Sequence, residues 1–222
     1  MARPSRNIEQ ALLQSGRELY AERGAARLSV RALTQHAGVN LGMFHYHFKT
    51  KDAFLAQLLE SWYEEMFARL QSSAQQPGPS IERLREALFF LASFVRDHAA
   101  VLGRVISDAA AGEAVAAEFM RTNAPRHLRV LLALMAQAQK EGSLAKVPPL
   151  QRFVFVMSAV AMPLIIAPGI RSLGVAPGVL GDSLTAQVMS DKAIRQRIEL
   201  ALKALAAESA KDDFRYLLIG DI

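Results

Sequence analysis

Histidines are the first side chains whose spacing suggests chemistry, because three of the five in the chain fall within residues 36–47. His36, His45 and His47 are candidate metal ligands by residue type. His45 and His47 lie two positions apart, and a helix turns such neighbours toward different faces, so a shared ion is not expected. The chain has no cysteine, which excludes thiolate zinc sites, disulfides and a cysteine nucleophile. We therefore predict neither a metal site nor a cofactor.

Serines and carboxylates form no catalytic pattern in this sequence. There is no Gly-x-Ser-x-Gly, no Gly-rich phosphate loop and no His-Glu-x-x-His. Acidic residues of the central region, such as Asp108, Glu113 and Glu118, lack the paired spacing that general acid and base chemistry would need. We predict that the protein is not an enzyme.

Basic charge concentrates at the N-terminal end of the chain. Residues 1–60 hold eight Lys and Arg against five Asp and Glu, so they contribute +3 of the formal net charge of +5. With 222 residues, 51% of them hydrophobic, the chain is long and apolar enough to bury a core, which excludes a disordered protein. The asymmetry predicts that the N-terminal part faces an anionic partner.

Capping signals predict two short helices within this basic part. Ser29 is a natural N-cap for a helix over residues 30–36, and Asn40 for a helix over residues 41–47. Gly38 permits a tight turn between them. This is the spacing of a helix-turn-helix, in which the second helix enters the major groove of DNA. In that second helix we expect Phe44 and Phe48 to face the core, and Met43, His45 and Tyr46 to face outward.

The stretch LSVRALTQHAGVNLGMFHYHFKTKDAFLAQLL, residues 28–59, resembles the DNA-binding unit of the TetR family of bacterial transcriptional repressors. The preceding YAERG, residues 20–24, resembles the family's usual end of helix one, which we expect over about residues 5–22. The resemblance covers roughly residues 6–60. The matching positions are Ala37-Gly38-Val39-Asn40, Gly42, Phe44, His47-Phe48 and Thr50-Lys51-Asp52.

The resemblance implies an all-α fold. An N-terminal three-helix, helix-turn-helix DNA-binding domain would be followed by a larger helical domain for ligand binding and dimerisation. The expected division is a DNA-binding domain over 1–50, a linking helix four over 51–75, and an effector-binding and dimerisation domain over 76–222.

DNA contacts are also implied, position by position. Ser29 and Lys51 would bind phosphates, and Arg31 would reach into the groove and read a guanine. His45 stands where the family most often has a tyrosine. Because histidine changes charge near its reference pKa of about 6.5, we expect DNA affinity to depend on pH. The residues expected at or near the bases and backbone are Asn40, Leu41, Gly42, Met43, His45 and Tyr46.

The rest of the chain reads as about five helices after a turn at residues 75–79, with Ser80 as an N-cap. We expect a helix break near Pro125 and a last helix over about residues 186–207. The uncharged stretch 153–170 has the minimum length of a membrane span, but Pro163 and Pro168 interrupt it. We therefore predict a homodimer through helices near 150–167 and 186–207, and no membrane partner.

An effector pocket is expected in the same helical remainder. Methionine and aromatic side chains line adaptable apolar cavities, which favours a small lipophilic or amphipathic effector. The N-terminus has no apolar signal core, so we expect a bacterial cytoplasmic location. The candidate ligand contacts are Trp62, Met66, Phe90, Phe94, Arg104, Phe119, Met135 and Met157.

These features together predict a one-component transcriptional regulator. It would bind a double-stranded, palindromic DNA operator as a dimer and be released by a small molecule. A repressor is the expected form, and the sequence leaves an activator open. The alternative is a ligand-binding helical dimer whose helix-turn-helix has degenerate or no DNA binding.

Overall fold

The computed structural model describes residues 3–172, 183 and 185–207, and these residues form helices without a β-sheet. A single π-helical turn, Thr185–Met189, precedes the last helix. The α-helices are α1 Arg3–Arg27, α2 Val30–Ala37, α3 Leu41–Phe48, α4 Lys51–Ala74, α5 Ser80–Asp97, α6 Ala99–Ala110, α7 Ala114–Lys140, α8 Pro149–Val160, α9 Met162–Ser172 and α10 Asp191–Ala204. The all-α prediction is confirmed.

The helices group into two compact units. The first unit holds the residues up to 67 together with 98–126, and the second holds 68–97 together with the residues from 127 onward. Residues 98–126 therefore pack in the first unit, whereas the sequence-based division placed them in the effector domain. The boundaries at residues 50 and 75 stay a prediction.

Aromatic side chains form the core of the helix-turn-helix. Phe44 and Phe48, predicted to face inward from α3, are 0% and 3% exposed. Their rings lie 5.5 and 4.9 Å from the ring of Phe54 on α4, centroid to centroid. Leu12 and Tyr20 of α1 are buried in the same unit. Burial of these side chains fixes which face of α3 remains exposed.

The first helix bends at Gly24. The backbone there has φ 69° and ψ 176°, a region that essentially only glycine occupies. One further helical turn follows to Arg27, and the Leu28 amide donates to the Gly24 carbonyl at 3.1 Å. Gly24 therefore redirects the chain, as a helix-ending glycine does, although helical residues continue beyond it.

The expected helix break near Pro125 is wrong. α7 runs through Pro125 without interruption. Side chains of α4 hold this segment: the Tyr63 hydroxyl donates to the Asn123 carbonyl at 2.7 Å, and the Asn123 amide donates to Glu60 at 2.9 Å. Asn123 is 1% exposed, so these bonds satisfy a buried polar group two residues before the proline and attach this part of α7 to α4.

In the second unit, α5 begins at Ser80, but Ser80 is not the capping acceptor that we expected. Its amide and its hydroxyl both donate to Glu141, at 2.9 and 2.6 Å, so a carboxylate near the end of α7 caps α5. The Ser80 hydroxyl, and then its amide, lower the pKa of Glu141 below its usual range. The cap is therefore strongest when Glu141 is ionised.

Arg152 of α8 is buried although the sequence gives no sign of it. Its guanidinium donates to Gln139 at 2.7 Å and to the Ala145 carbonyl at 3.4 Å. No carboxylate of the described ranges forms an ion pair with it, and burial lowers the pKa of this guanidinium.

The apolar stretch is divided between α8 and α9, which meet at Ala161. The predicted break at Pro163 thus lies near the start of α9, whereas Pro168 lies within α9 and does not end it. By length and composition alone, Pro149–Ile170 is a possible membrane span, with a mean hydropathy of 2.2 over a window that is 28% buried.

The last helix begins later than predicted. Ser190 caps α10 by accepting from the Ala193 amide at 3.3 Å, so the helix runs over Asp191–Ala204 and not from residue 186. The sequence also predicts a loop rich in Gly and Pro over residues 168–181. α9 instead continues through residues 168–172, and residues 173–181 lie outside the described residues.

Candidate nucleic-acid interface

Side-chain caps set the start of both helices of the helix-turn-helix. The Ser29 hydroxyl accepts from the Ala32 amide at 3.1 Å, and the Asn40 side chain accepts from the Met43 amide at 2.9 Å. Gly38 ends α2 with a left-handed φ of 65°. Both predicted caps are confirmed. Each capping side chain accepts one backbone amide of its helix, so the other amides of the first turn remain available to a phosphate.

One face of α3 is open to solvent. Leu41 is 50% exposed and Tyr46 is 73% exposed, while Gly42 and His45 are exposed between them. These positions follow the i, i+1, i+4, i+5 spacing of a single helical face. Met43, also predicted to point outward, is half-buried. An exposed leucine and tyrosine on a short helix suit contact with a partner, because they contribute little to the core.

His45 and Lys49 close the end of α3. The Nδ1 atom of His45 lies 3.1 Å from the Lys49 carbonyl oxygen, and Lys49 has a left-handed φ of 61°. This contact orients the His45 ring, which stays exposed. A phosphate contact through its other nitrogen, and the pH dependence expected from it, stay predictions.

Arg31 lies exposed at the second position of α2, two residues after Ser29. Lys51, at the first position of α4, is half-buried, and its ammonium donates to the Ala25 carbonyl at 2.9 Å. Sequence reasoning assigned Lys51 to a phosphate and did not foresee this contact. The ammonium carries three protons, so one contact to the backbone leaves donors for a phosphate.

The bend of α1, residues 23–25, is also held by α6. The Arg104 guanidinium donates to the Arg23 carbonyl at 2.8 Å, and Asp108 accepts from the Ala25 amide at 2.8 Å. Arg104 was predicted to contact a ligand, whereas its side chain bonds the backbone of α1. No sequence signal links these residues, because about eighty positions separate them.

The other predicted ligand contacts are dispersed. Trp62, Met66 and Phe119 lie in the first unit and are nearly buried. Trp62 lines a cavity of about 360 Å³, and Phe119 lines a different one of about 430 Å³. Phe90, Phe94, Met135 and Met157 belong to the second unit. Of these, Met135 is fully buried, and the Phe90 and Phe94 rings lie 6.4 Å apart. Within the first unit, Trp62 and Phe119 line different cavities, and a ligand pocket formed by the predicted residues stays a prediction.

The histidines of the N-terminal part do not meet. His36 lies 3.6 Å from Glu18, and His47 lies 3.9 Å from Glu9 with its side chain 8% exposed. In the part of the chain that the structure describes, no three His, Asp or Glu side chains are placed to hold a metal ion.

Comparison with known proteins agrees with this geometry. Residues 12–58 match the family of bacterial regulatory proteins, tetR family. Residues 12–58 therefore form a DNA-binding domain of the TetR family. The matched residues contain α2, α3 and the capping side chains described above, so the resemblance inferred from the sequence is confirmed.

Curated TetR-type relatives are named as transcriptional repressors. KstR2 of Mycobacterium tuberculosis is 31% identical over 83 residues, which are 37% of this chain and 40% of the relative. DhaR of Mycobacterium sp. (strain GP1) is 29% identical over 79 residues, which are 35% of this chain and 40% of the relative. The match spans about 40% of the length of these relatives.

Solved TetR-family structures match over nearly the whole chain. The structure of KstR2 from Mycobacterium tuberculosis has a TM-score of 0.67 at 17% identity and covers 90% of this chain and 95% of that one. The structure of a TetR family regulator from Marinobacter aquaeolei has a TM-score of 0.67 at 16% identity, and the match covers 94% of this chain and 100% of that one. These matches show a helix-turn-helix followed by a larger helical domain.

Proposed function

We propose that this TetR-family chain is a transcriptional repressor that binds a palindromic operator as a homodimer and is released by a small effector. The exposed face of α3 carries this proposal. Leu41, His45 and Tyr46 lie in solvent while Phe44 and Phe48 anchor the opposite face in the core. A helix held in this way presents fixed side chains to base edges. The repressor names of the relatives support the direction of regulation.

Phosphate and base contacts would divide between the two helices. Amides at the starts of α2 and α3, near Ser29 and Asn40, would bind phosphates. Arg31 would read a base from the exposed side of α2, and Met43 would add an apolar contact. Regulation at DNA would place the protein in the bacterial cytoplasm.

Dimerisation would use the apolar face of α8 and α9. Four large side chains repeat along it at four- or eight-residue spacing: Leu150, Val154, Met162 and Ile166, which are 63%, 53%, 44% and 51% exposed. Ser158 occupies the missing position, where a small side chain permits close approach. On α10, Leu200 is 60% exposed and would extend the same contact. Burying such a face between two copies removes it from water.

Release by an effector would act through the bend of α1. Lys51 of α4 and Arg104 and Asp108 of α6 all bond to residues 23–25 of α1. A ligand that shifts either helix would change how α1 supports the helix-turn-helix. The ligand must prefer the released arrangement, because equal affinity for both arrangements shifts nothing.

Selection of purified protein on random duplex DNA at fixed salt tests the proposal. We expect an inverted repeat whose half-sites lie one helical turn apart, about 34–36 Å. Arg31→Ala should weaken operator binding about 10- to 100-fold. The control is Arg121→Ala, since Arg121 is exposed on α7 and pairs with Glu118 of its own helix. Lys51 is a poorer test because its substitution also removes the bond to Ala25.

Absence of an enriched repeat from folded, dimeric, ligand-free protein would contradict operator binding and favour the ligand-binding dimer instead. Sedimentation without detergent tests the apolar face separately. A discrete dimer supports the interface, whereas protein that stays dispersed only in detergent would favour Pro149–Ile170 as a membrane segment.

A further inference from the structure

A cavity of about 360 Å³ lies between α1, α4 and the start of α6, within the first unit. Leu58, Leu59 and Trp62 of α4 form its apolar wall. Arg17 and Glu18 of α1 line the polar side. This volume is at the lower end of the range for small-molecule sites, about 300–1,000 Å³, and suits a ligand of one ring.

An uncompensated cation lines this cavity. The Nε atom of Arg17 is buried without a hydrogen-bond partner, and no described carboxylate forms an ion pair with its guanidinium. Glu18 is the nearest acid in sequence, but one of its oxygens accepts from Gln14 at 2.8 Å and the other lies 3.6 Å from His36. Arg17 as a whole is half-buried, so the rest of its guanidinium can reach a ligand in the cavity; a partly buried guanidinium without a counter-charge favours a carboxylate, which it can bind through two parallel hydrogen bonds.

Aromatic groups surround the rest of the space. The Trp62 ring meets the His98 ring edge to face, with centroids 5.2 Å apart, and both line the cavity with Tyr20. Burial, and next the neighbouring Asp108 carboxylate, raise the pKa of the Tyr20 phenol, so it stays neutral. Aromatic side chains around a cavity favour a ligand with a flat ring, which they contact by its edge or its face.

We propose that this cavity binds a small aromatic carboxylate, with the carboxylate on Arg17 and the ring against Trp62. Tyr20 connects the cavity to the bend of α1, since it lines the cavity about one helical turn before Gly24 and its hydroxyl is buried without a hydrogen-bond partner. A ligand that bonds to Tyr20 would therefore act close to the bend. The binding site stands independently of operator binding, whereas its role as an effector site rests on the proposed function.

Trp62 is the only tryptophan of the chain, so its emission reports on this cavity directly. The full-length protein, without DNA, is titrated with phenylacetate and with its neutral analogue phenylacetamide. We expect phenylacetate to cause a saturable change in the Trp62 emission. The affinity for phenylacetamide should be lower than that for phenylacetate by about tenfold or more, because the amide loses a charged hydrogen bond. Arg17→Met should abolish the preference, and Arg121→Met should retain it.

Equal affinity for the two probes, or no saturable change with either, would overturn the proposal. A preference that persists in Arg17→Met would overturn the role of Arg17. If that variant does not fold, Arg17→Lys decides, because an ammonium keeps the charge but not the paired hydrogen bonds and should lower the preference. If phenylacetate binds without changing operator affinity, only the effector role is refuted. If the protein binds no operator at all, the proposed function is refuted, and the emission titration still tests the binding site.

Discussion

Substitution of Gly24 by alanine should destabilise the protein in two ways, through its backbone conformation and through a steric overlap. The φ of 69° and ψ of 176° at Gly24 are strained for a residue with a Cβ, at a cost of about 1–3 kcal/mol. The new Cβ would also overlap the Arg104 guanidinium, which donates to the Arg23 carbonyl. Displacing that partly exposed bond costs about 1 kcal/mol more. We expect a loss of about 2–4 kcal/mol.

Gly38→Ala is the matched control. Gly38 has φ 65° and ψ 31°, an ordinary left-handed conformation, and nothing lies within 4 Å of a Cβ placed there. Its cost should be about 1–2 kcal/mol, from backbone conformation alone. Urea unfolding at fixed protein concentration, followed by helical circular dichroism, measures both variants. Fixed concentration matters because self-association raises apparent stability.

A second comparison separates the two causes. If displacement of Arg104 contributes, Gly24→Ala should cost about 1 kcal/mol less in an Arg104→Ala background than in the parent chain. Equal costs for the two glycine variants would refute the assignment of Gly24 to the glycine-only region. An unchanged cost in the Arg104→Ala background would refute the contact with the guanidinium.

Three further outcomes follow from contacts described above. Glu141→Gln should lower the melting temperature at neutral pH and should match the parent chain in acid. The pKa of Glu141 is lower in the folded protein than in the unfolded chain, so Glu141 stabilises the fold above the unfolded pKa, and this stabilisation is lost as the pH falls through the folded pKa. Phe44→Ala should lower the free energy of unfolding in urea by about 3–5 kcal/mol, since Phe44 is fully buried. Tyr46 is exposed, so Tyr46→Ala should change that free energy by less than about 0.5 kcal/mol but weaken operator binding. Val154→Glu should shift sedimentation from dimer to monomer, and a dimer that persists would contradict an interface on α8.

Local signals made the helix-turn-helix predictable. The caps of Ser29 and Asn40 act on amides three residues away, and Gly38 sits at the turn, so each rule concerns neighbours in sequence. The predicted helices over 30–36 and 41–47 end one residue short of the observed ones. Inward-facing Phe44 and Phe48 followed from helical spacing alone.

Contacts between distant residues were not predictable. Arg104 bonding to Arg23, Glu141 capping α5 and Asn123 joining α4 to α7 each depend on how helices pack, which no local pattern encodes. The Pro125 prediction was wrong because proline disfavours a helix locally, whereas α7 continues through it in a segment that packs against α4. The ligand contacts were proposed from residue type, and type does not say which side chains share a cavity.

The exposed apolar face of α8 and α9 also affects what happens to newly made protein. A single copy carries Leu150, Val154 and Ile166 in water until something covers them. Exposed apolar surface is what chaperones and aggregates bind, and the risk rises with the time that a chain spends alone. Slow synthesis of a scarce protein lengthens that time. Under the proposed dimerisation, a low concentration of protein therefore lengthens the time for which each copy exposes this face.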